Sequence, residues 1–431
     1  MFIHRIFRGL RGDKGIWAFV TLLALFSFMP VFSASANLVY VVGTVNSTYE
    51  FLLKHISHLM IGFFIMYVIH KFSYQNLRWI SILLLPVVGI LLLFTLLKGN
   101  TIGGANASRW ISVGGFGFQP SAMAVVVLNI YAAQYLAKFK DKPYDFKDSI
   151  YKLWIPVGII CVLILPANFS TAALVFFMVI MLVYLAGYPM RYLFTLMVPV
   201  VVTLILFFAI ATYFPSKYFS RVNTWKSRIE RFTSKDDADV DNYQTDNAKI
   251  AIATGKFTGL GPGKSVQRNF LPQSSSDFIF AIIIEEYGLL GGFSVLFIYL
   301  MLFFRFFVKA VKIEDHFGKY LMIGIGFPII IQALVNMGVA VELLPTTGQT
   351  LPLISSGGTS IWITCASLGI VLSVSAGDDK TNLKKAPRSR KAKIQDLQSS
   401  SVIEELGDYE NENKLEQDTN TPNPMEAVQN K

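Results

Sequence analysis

Long apolar stretches and short polar loops alternate along most of the chain. A membrane-spanning helix needs about 20 predominantly apolar residues. Ten apolar runs are of about this length, and they cover residues 15–36, 53–71, 76–98, 120–138, 152–167, 170–188, 191–214, 277–304, 318–341 and 358–376. The pattern therefore predicts an all-α polytopic membrane protein with about ten transmembrane helices.

The polar segments between and after these runs define the domain organisation. Residues 1–14 form a basic N-terminus, and residues 15–376 form the transmembrane domain. A large polar loop, residues 215–276, separates the seventh and eighth runs. Residues 377–431 form a polar tail in which a basic stretch precedes an acidic one. The tail has few aromatic residues and little periodicity, which predicts disorder.

Lysine and arginine are concentrated in alternate loops, and short loops rich in these residues stay in the cytoplasm. They cluster before the first run, after the second, fourth, sixth and eighth runs, and in the tail. Both termini are therefore expected in the cytoplasm, and the large loop 215–276 on the extracytoplasmic side. The formal net charge of +10 consists mostly of these topology signals, so nucleic-acid binding is not favoured.

The composition agrees with a membrane protein. Charged residues make up 15% of the chain, whereas soluble proteins carry roughly 25%. The two cysteines, Cys161 and Cys365, lie inside apolar runs, so neither a disulfide framework nor a cysteine-based metal site is indicated. The sequence indicates no certain cofactor and no dedicated metal-ligand cluster, although a divalent cation could assist the chemistry described below.

The first polar motif on the outer side is GGANASRWISVGGFGFQPS, residues 103–121. Arg109 and Trp110 lie in a glycine-rich loop, and Gln119 precedes a proline suited to the first turn of a helix. The arginine and tryptophan could be a simple interfacial anchor. Alternatively, the guanidinium binds phosphate, which it can hold through two hydrogen bonds. The glycine run is similar to a nucleotide-binding loop, but no strand is predicted before it.

The second motif extends over residues 243–288 and combines glycines with charged residues. Its GLGPGKS stretch is similar to a phosphate-binding loop, but Thr258 stands where that loop requires its first glycine. We expect the glycines to let the backbone approach a ligand closely. Lys264 and Arg268 bring positive charge shortly before Asp277.

The third motif, LLPTTGQTLPLISSGGTSIW, is rich in proline, glycine and hydroxyl side chains. Irregular backbone of this kind is tolerated at membrane depth only where it lines a cavity enclosed by protein. The motif therefore predicts a tightly folded outer loop that offers hydrogen bonds to a polar head group.

These three motifs resemble the SEDS family (shape, elongation, division and sporulation), which includes FtsW and RodA. The similarity covers roughly residues 15–376, and its matching stretches are SRWISVGGFGFQPS, YQTDNAKIAIATGKFTGLGPGKSVQRNFLP, SDFIFAIIIEEYGLLG and NMGVAVELLPTTGQTLPLISSGGTS. The resemblance implies a peptidoglycan glycosyltransferase of the bacterial cytoplasmic membrane. Such an enzyme polymerises lipid II, an undecaprenyl-diphosphate-linked disaccharide peptide, on the outer side. It works with a class B penicillin-binding protein, which is a transpeptidase.

The resemblance also implies roles for single residues. The family's essential acid falls on Asp277, its Arg-Trp pair on Arg109 and Trp110, and its basic residue before Leu-Pro on Arg268. The matching motifs supply the remaining candidates for substrate contact, which are Gln119, Gln244, Lys264, Ser355, Ser356, Gly357 and Gly358.

The chain departs from the family pattern at charged positions. The family usually continues Gln-Pro-Ser with Glu-x-x-Lys, and here these positions are Ala122 and Val125. Because both charges are lost together, no unpaired charge remains, and we infer that the pair is structural in relatives. A place in the substrate cavity is the alternative. A further family carboxylate is replaced by Asn168.

Glycan growth requires a sugar hydroxyl to attack an anomeric carbon that carries a lipid diphosphate. Asp277 is the candidate base for the hydroxyl proton, and capping of the following helix is the alternative role for this region. The diphosphate is a stable anion and needs only cations or hydrogen-bond donors. Arg109, Lys264 and Arg268 are the candidates for that contact.

Glu285 and Glu286 follow Asp277 by 8 and 9 residues, which is about 12–13 Å further along a helix. They are therefore expected to lie inside the membrane and too far from Asp277 to share its proton. Intramembrane carboxylates are usually paired or line a wet cavity. We expect structural polar contacts between helices, with an ion path as the alternative.

The GDKGIW sequence near the N-terminus and the long charged tail are more similar to the division-type FtsW branch than to RodA. We therefore expect a role in septal cell-wall synthesis, at the division septum and with other division proteins. An elongation-type RodA-like polymerase is one alternative. A lipid II flippase is another, because intramembrane carboxylates and glycine-broken helices suit transport.

Overall fold

Apolar helices form most of the structure, as the long apolar runs predict. The computed structural model describes residues 10–41, 48–99, 110–113, 116–140, 144–213, 243–271 and 273–385. Within them the α-helices are α1 (Lys14–Val41), α2 (Thr48–Ile69), α3 (Leu77–Lys98), α4 (Pro120–Lys138), α5 (Phe146–Ser149), α6 (Ile155–Ile164), α7 (Phe169–Leu185), α8 (Met190–Tyr213), α9 (Tyr243–Gly255), α10 (Ile279–Lys312), α11 (His316–Ala340) and α12 (Thr359–Lys385). The contacts divide the chain into one unit that ends at Gly377 and another that begins at Asp378.

Among the described residues, 7 helices are long and apolar enough to cross a membrane, namely α1, α2, α3, α4, α10, α11 and α12. The other three predicted spans fall on α6, α7 and α8. The apolar parts of α7 and α8 are shorter, Phe169–Leu185 and Met190–Val202. The prediction of a polytopic helical membrane protein is therefore confirmed.

A small β-hairpin accompanies the helices. Strands β1 (Ile111–Val113) and β2 (Phe116–Phe118) pair antiparallel, with Ile111 opposite Phe118. The hairpin lies in the first outer motif, where no strand was predicted. Strands of three residues carry too little alternation to be detected in a glycine-rich sequence.

The helices pack around α4 and α11, which contact each other. On one side α3 packs on α4, and on the other α10 packs on α11 and α1. Helix α12 lies against α2, where Gly62 faces Cys365 and Gly369 faces Ile69. The cavity described below is lined by residues of α2, α4, α7, α11 and α12.

The start of α1 is fixed by Asp13. Its Oδ1 accepts hydrogen bonds from the backbone N–H groups of Gly15 (2.8 Å) and Ile16 (3.1 Å). Its Oδ2 lies 3.5 Å from Arg305 and 3.8 Å from Lys309 in α10. The start of α1 is therefore joined to the last turns of α10, and the two helices run in opposite directions.

Helix α10 is interrupted at Gly288, although the sequence predicts one continuous span. Gly288 has φ 67° and ψ −171°, which is far from helical geometry. A Cβ atom at this position would lie 2.2 Å from the carbonyl oxygen of Phe257. Only glycine fits, because it lacks the Cβ atom and tolerates a positive φ.

A loop that follows α9 supplies hydrogen bonds at this interruption. The N–H groups of Leu260 and Gly261 donate to the carbonyl oxygens of Glu285 and Glu286, both at 2.9 Å. In return, Leu289 N–H donates to Lys256 O at 2.9 Å. The glycines of the second motif therefore bring the loop backbone against a helix, whereas the sequence predicted an approach to a ligand.

We predict that Gly288→Ala destabilises the protein by about 1–3 kcal/mol, because the added methyl group requires either a strained φ or displacement of the loop. Thermal unfolding of the detergent-solubilised variant measures the effect. Gly89→Ala is the matched control, because a Cβ atom there meets nothing within 4 Å. Equal melting temperatures of the two variants would contradict this account of the interruption.

Candidate active site

The three outer motifs meet around one cavity of about 610 Å³. The first motif contributes Trp110, Gly117 and Gln119 to its lining; the second contributes Gln244, Gln273 and residues 275–277, and the third contributes residues 348–350 and 356–360. Segments that are more than 200 residues apart in the sequence therefore enclose the same space.

Hydrogen bonds join the three motifs directly. Thr359 Oγ1 donates to Gly117 O at 2.9 Å, which holds the β-hairpin against the start of α12. Ser355 Oγ donates to Ser276 O at 2.6 Å, and Ser356 N–H donates to Ser275 O at 2.8 Å. The cavity wall is consequently one hydrogen-bonded unit.

Asp277 lines the cavity at the turn that precedes α10. The helix begins at Ile279, and the residue at its N-cap is Phe278, which makes no side-chain capping bond. Neither Asp277 nor Ser276 therefore occupies the capping position that was the alternative role. Asn336 of α11 donates a hydrogen bond of 2.7 Å to the backbone carbonyl of Asp277.

Six of the predicted substrate-contact residues line the cavity, namely Trp110, Gln119, Gln244, Ser356, Gly357 and Gly358. Arg109 lies outside the described residues. Ser355 is 2% exposed and is absent from the lining; its hydroxyl accepts from Leu351 N–H as well as donating to Ser276 O. Its contacts therefore favour a structural role.

The two predicted cations among the described residues, Lys264 and Arg268, do not line the cavity. Lys264 is exposed on the loop and is not part of the lining. Arg268 donates to Ser33 Oγ at 2.8 Å and to Gly263 O at 2.9 Å. The placement of Arg268 favours a role in holding the loop to α1 over the predicted contact with a diphosphate.

Lys54 of α2 is a cavity residue that the sequence analysis missed. Among the described residues of the lining it is the one lysine or arginine. His55 and His58 from the same helix also line the cavity. His58 Nδ1 lies 2.5 Å from Lys54 O, and its ring stacks on Trp362 with 5.4 Å between centroids. Lys54 was missed because it lies at the start of a predicted span, outside all three outer motifs.

The remaining lining combines amide and hydroxyl side chains with apolar ones. The polar part includes Gln273, Gln332, Gln349, Thr350 and Thr171, and the apolar part includes Val126, Leu174, Val175, Met178 and Ile329. Ala122 and Val125 line the cavity as well. The positions of the lost family charges are thus part of the cavity wall, which was the alternative interpretation.

Glu285 and Glu286 are 0% exposed and hold the loop that follows α9. Glu285 accepts from the N–H groups of Val266 (2.9 Å) and Gln267 (3.2 Å) and from the hydroxyl of Ser265. Glu286 accepts from Ser33 Oγ of α1 and from Ser265 N–H at 3.3 Å. Both carboxylates therefore have donors from the loop or from α1.

The pair lies far along α1 from Asp13. Ser33, which contacts Glu286, follows Asp13 by 20 residues, or about 30 Å along a helix. That length equals the thickness of the hydrocarbon core. Residues 289–312 of α10 are also sufficient to cross the core by themselves, because 24 residues extend about 36 Å. We therefore expect the pair near the end of the membrane core that is remote from Asp13.

An ion pair holds α9 beside the cavity. Lys249 Nζ lies 2.8 Å from Glu342 Oε1 at the end of α11 and 3.4 Å from Asp246. Hydrogen bonding to Glu342 raises the pKa of the Lys249 ammonium. Lys249 lies on the same short helix as Gln244, so this contact fixes the helix that carries one cavity residue.

Metal-ligating side chains are sparse in the part of the chain that the structure describes. It contains no group of three or more His, Cys, Asp or Glu side chains that could hold a metal ion. Among the described residues of the lining, the acidic side chain is Asp277 and the basic one is Lys54.

Comparison with known proteins points to one family. The model of the cell cycle protein family FtsW/RodA/SpoVE matches residues 14–380. A "Probable peptidoglycan glycosyltransferase FtsW" from Idiomarina loihiensis is 31% identical over 375 residues, which are 86% of this chain and 89% of that protein. A protein of the same name from Xanthomonas oryzae is 35% identical over 291 residues, which are 65% of this chain and 57% of that protein.

Solved structures share the fold. A chain of the structure "Structural coordination of polymerization and crosslinking by a peptidoglycan synthase complex" superposes with a TM-score of 0.63 at 24% identity, covering 85% of this chain and 98% of that chain. The rod shape determining protein RodA of Thermus thermophilus gives a TM-score of 0.59 at 23% identity, covering 84% of this chain and 96% of that chain.

We predict that Glu285→Ala loosens the loop that the carboxylate holds. The N–H groups of Val266 and Gln267 lose their acceptor, which costs about 1–3 kcal/mol for each buried donor left unsatisfied. Limited trypsin digestion of the detergent-solubilised protein should cleave faster after Lys264 and Arg268. Glu314→Ala, an exposed glutamate beyond the other end of α10, is the control. Unchanged cleavage in Glu285→Ala would contradict the proposed contact.

Proposed function

Because the chain belongs to the cell cycle protein family of FtsW, RodA and SpoVE, we propose that it is a peptidoglycan glycosyltransferase. Its substrate is lipid II, which it polymerises into glycan strands at the outer face of the bacterial cytoplasmic membrane. The observation that carries this proposal is the convergence of all three outer motifs and Asp277 on one cavity.

The topology that we propose has ten spans, with both termini in the cytoplasm and the loop 215–276 on the extracytoplasmic side. Each predicted span falls on a helix. The alternation of basic loops supports the orientation. The cavity motifs are then all extracytoplasmic, where the disaccharide of lipid II is displayed.

In the proposed reaction, the hydroxyl of an acceptor sugar attacks the anomeric carbon of a donor sugar. A carbon–oxygen bond forms between the two sugars, and the bond between the anomeric carbon and the lipid diphosphate breaks. Asp277 accepts the hydroxyl proton as general base. The diphosphate leaves as an anion and requires no proton, so one carboxylate is sufficient.

Lys54 is our candidate for stabilising the diphosphate, together with Arg109 as predicted from the sequence. Lys54 lines the same cavity as Asp277, whereas Lys264 and Arg268 do not. An ammonium group stabilises a phosphate through a charge-assisted hydrogen bond. The apolar part of the cavity around Val126 and Met178 suits the lipid portion that follows the diphosphate.

We further propose that the enzyme acts in septal cell-wall synthesis with a class B penicillin-binding protein and other division proteins. The FtsW names of its relatives support the division branch over an elongation role. The similarity to a chain of a peptidoglycan synthase complex supports a partner. Transport is less well supported, because Glu285 and Glu286 hold a loop instead of lining the cavity.

Asp277→Asn tests the assignment of the base. The amide has nearly the same shape but cannot accept the proton, so the rate of polymer formation should fall by about 10²–10⁴-fold. The assay uses purified protein with its transpeptidase partner and labelled lipid II in detergent. Asp246→Asn, an exposed aspartate of α9 outside the cavity, should stay near wild type. Polymer formation by Asp277→Asn at the wild-type rate would disprove the assignment.

Lys54→Met tests the diphosphate contact. Loss of one hydrogen bond to a charged group costs about 1.5–3 kcal/mol, so kcat/KM for lipid II should fall by about 10–100-fold. Lys264→Met serves as the matched control, because Lys264 is exposed and outside the cavity. A loss in Lys264→Met with normal kinetics in Lys54→Met would reverse our assignment of the two lysines.

A further inference from the structure

Asn336 of α11 connects two walls of the cavity without lining it. Its side chain is buried, with 1% exposure. Nδ2 donates to the carbonyl oxygens of Asp277 and Gln349, each at 2.7 Å. A side-chain amide has two N–H groups, so both bonds form at the same time. One buried group therefore joins the turn that carries Asp277 to the third outer motif.

The orientation of this amide follows from its neighbours. Both partner atoms at 2.7 Å are carbonyl oxygens, which only accept hydrogen bonds. The nitrogen must therefore face them, and the opposite orientation would place three oxygens together. Asn336 Oδ1 has no hydrogen-bond partner among the described residues. The contribution of the side chain thus consists of its two donated bonds.

The turn before α10 is held at three successive residues. Ser356 N–H donates to Ser275 O (2.8 Å), Ser355 Oγ to Ser276 O (2.6 Å), and Asn336 Nδ2 to Asp277 O (2.7 Å). The bond from Asn336 acts on the residue that carries the carboxylate. Asn336 belongs to α11, which is long and well buried, whereas Ser355 and Ser356 belong to the loop of the third outer motif.

Rigid support of this kind has a direct consequence for catalysis. A general base must lie within hydrogen-bond reach of the proton that it accepts. Displacement of a catalytic group by about 1 Å can reduce the rate about 100-fold. The backbone of Asp277 sets the origin of its side chain, so a shift of this turn moves the carboxylate relative to the bound sugar.

We propose that Asn336 is a positioning residue for Asp277. Its two donated bonds fix the distance between the Asp277 turn and the wall around Gln349, which itself lines the cavity. This inference rests on the proposed glycosyltransferase function and assigns Asn336 no contact with the substrate.

The test compares two substitutions of similar size: Asn336→Leu removes both N–H donors, and Asn336→Asp replaces the amide with a carboxyl that donates at most one hydrogen bond. Each purified variant is assayed with its transpeptidase partner and labelled lipid II, and the rate is normalised to folded, monodisperse protein. We expect kcat to fall by about 10–100-fold while KM for lipid II stays within about twofold. Asn336→Gln, which retains both donors on a longer side chain, should recover part of kcat.

Asn247→Asp is the matched control. Asn247 is also buried, and its amide donates to the backbone carbonyl of Tyr243 at 2.7 Å, within α9 and outside the cavity lining. It should retain the wild-type kcat. If Asn336→Leu does not yield folded protein, Asn336→Ser keeps one donor on a smaller side chain, and we expect a smaller loss of kcat.

The outcomes separate the inference from the function on which it rests. Wild-type kcat in the folded Asn336→Leu and Asn336→Asp variants, with Asp277→Asn inactive, would overturn the role of Asn336 alone. A rise in KM at unchanged kcat would also overturn it, since that result indicates loss of binding. Polymerisation by Asp277→Asn at the wild-type rate would instead reject the proposed function.

Discussion

The interruption of α10 at Gly288 is the constraint on which the outer half of the structure depends. A helix that breaks near a membrane surface leaves backbone N–H and C=O groups unpaired, and each costs free energy unless it finds a partner. Here the loop after α9 provides the partners through Leu260, Gly261 and Lys256. The interruption allows the segment that follows Asp277 to remain buried within the protein, while residues 289–312 can cross the membrane.

This arrangement explains why so many buried polar groups occur in one region. Glu285 and Glu286 accept hydrogen bonds from the docked loop and from α1. Before the same segment, Asp277 ends the turn that Ser355, Ser356 and Asn336 hold. The acids that stand close together in the sequence thus have separate tasks, one in the cavity and two in the scaffold.

The low charge of the cavity also has a physical explanation. Ala122, Val125 and Asn168, the positions at which the sequence analysis inferred lost family charges, all line the cavity. Because an isolated charge in such a space is costly, the joint loss of both members of a pair is easier to accommodate than the loss of one. The remaining described charges, Lys54 and Asp277, have complementary signs, which suits a substrate with both a diphosphate and a reactive hydroxyl.

Much of the fold could be predicted from the sequence, because membrane spans depend on long apolar runs that are visible without structural information. The three outer motifs were also recognisable, and six of the ten predicted substrate-contact residues line one cavity together with Asp277. Three features could not be predicted. The interruption at Gly288 leaves the apolar pattern of the sequence unbroken. Arg268 and Lys264 are near Asp277 in the sequence but do not line the cavity. Lys54 lies within the second turn of α2, where it was outside every motif.

The most direct test of the account is a structure of the Asp277→Asn variant, with its transpeptidase partner, bound to lipid II. The account predicts that the diphosphate lies within hydrogen-bond distance of Lys54 and that a sugar occupies the polar part of the cavity beside residue 277. Lipid II bound with its diphosphate at Lys264, or with its sugars outside the cavity, would contradict it.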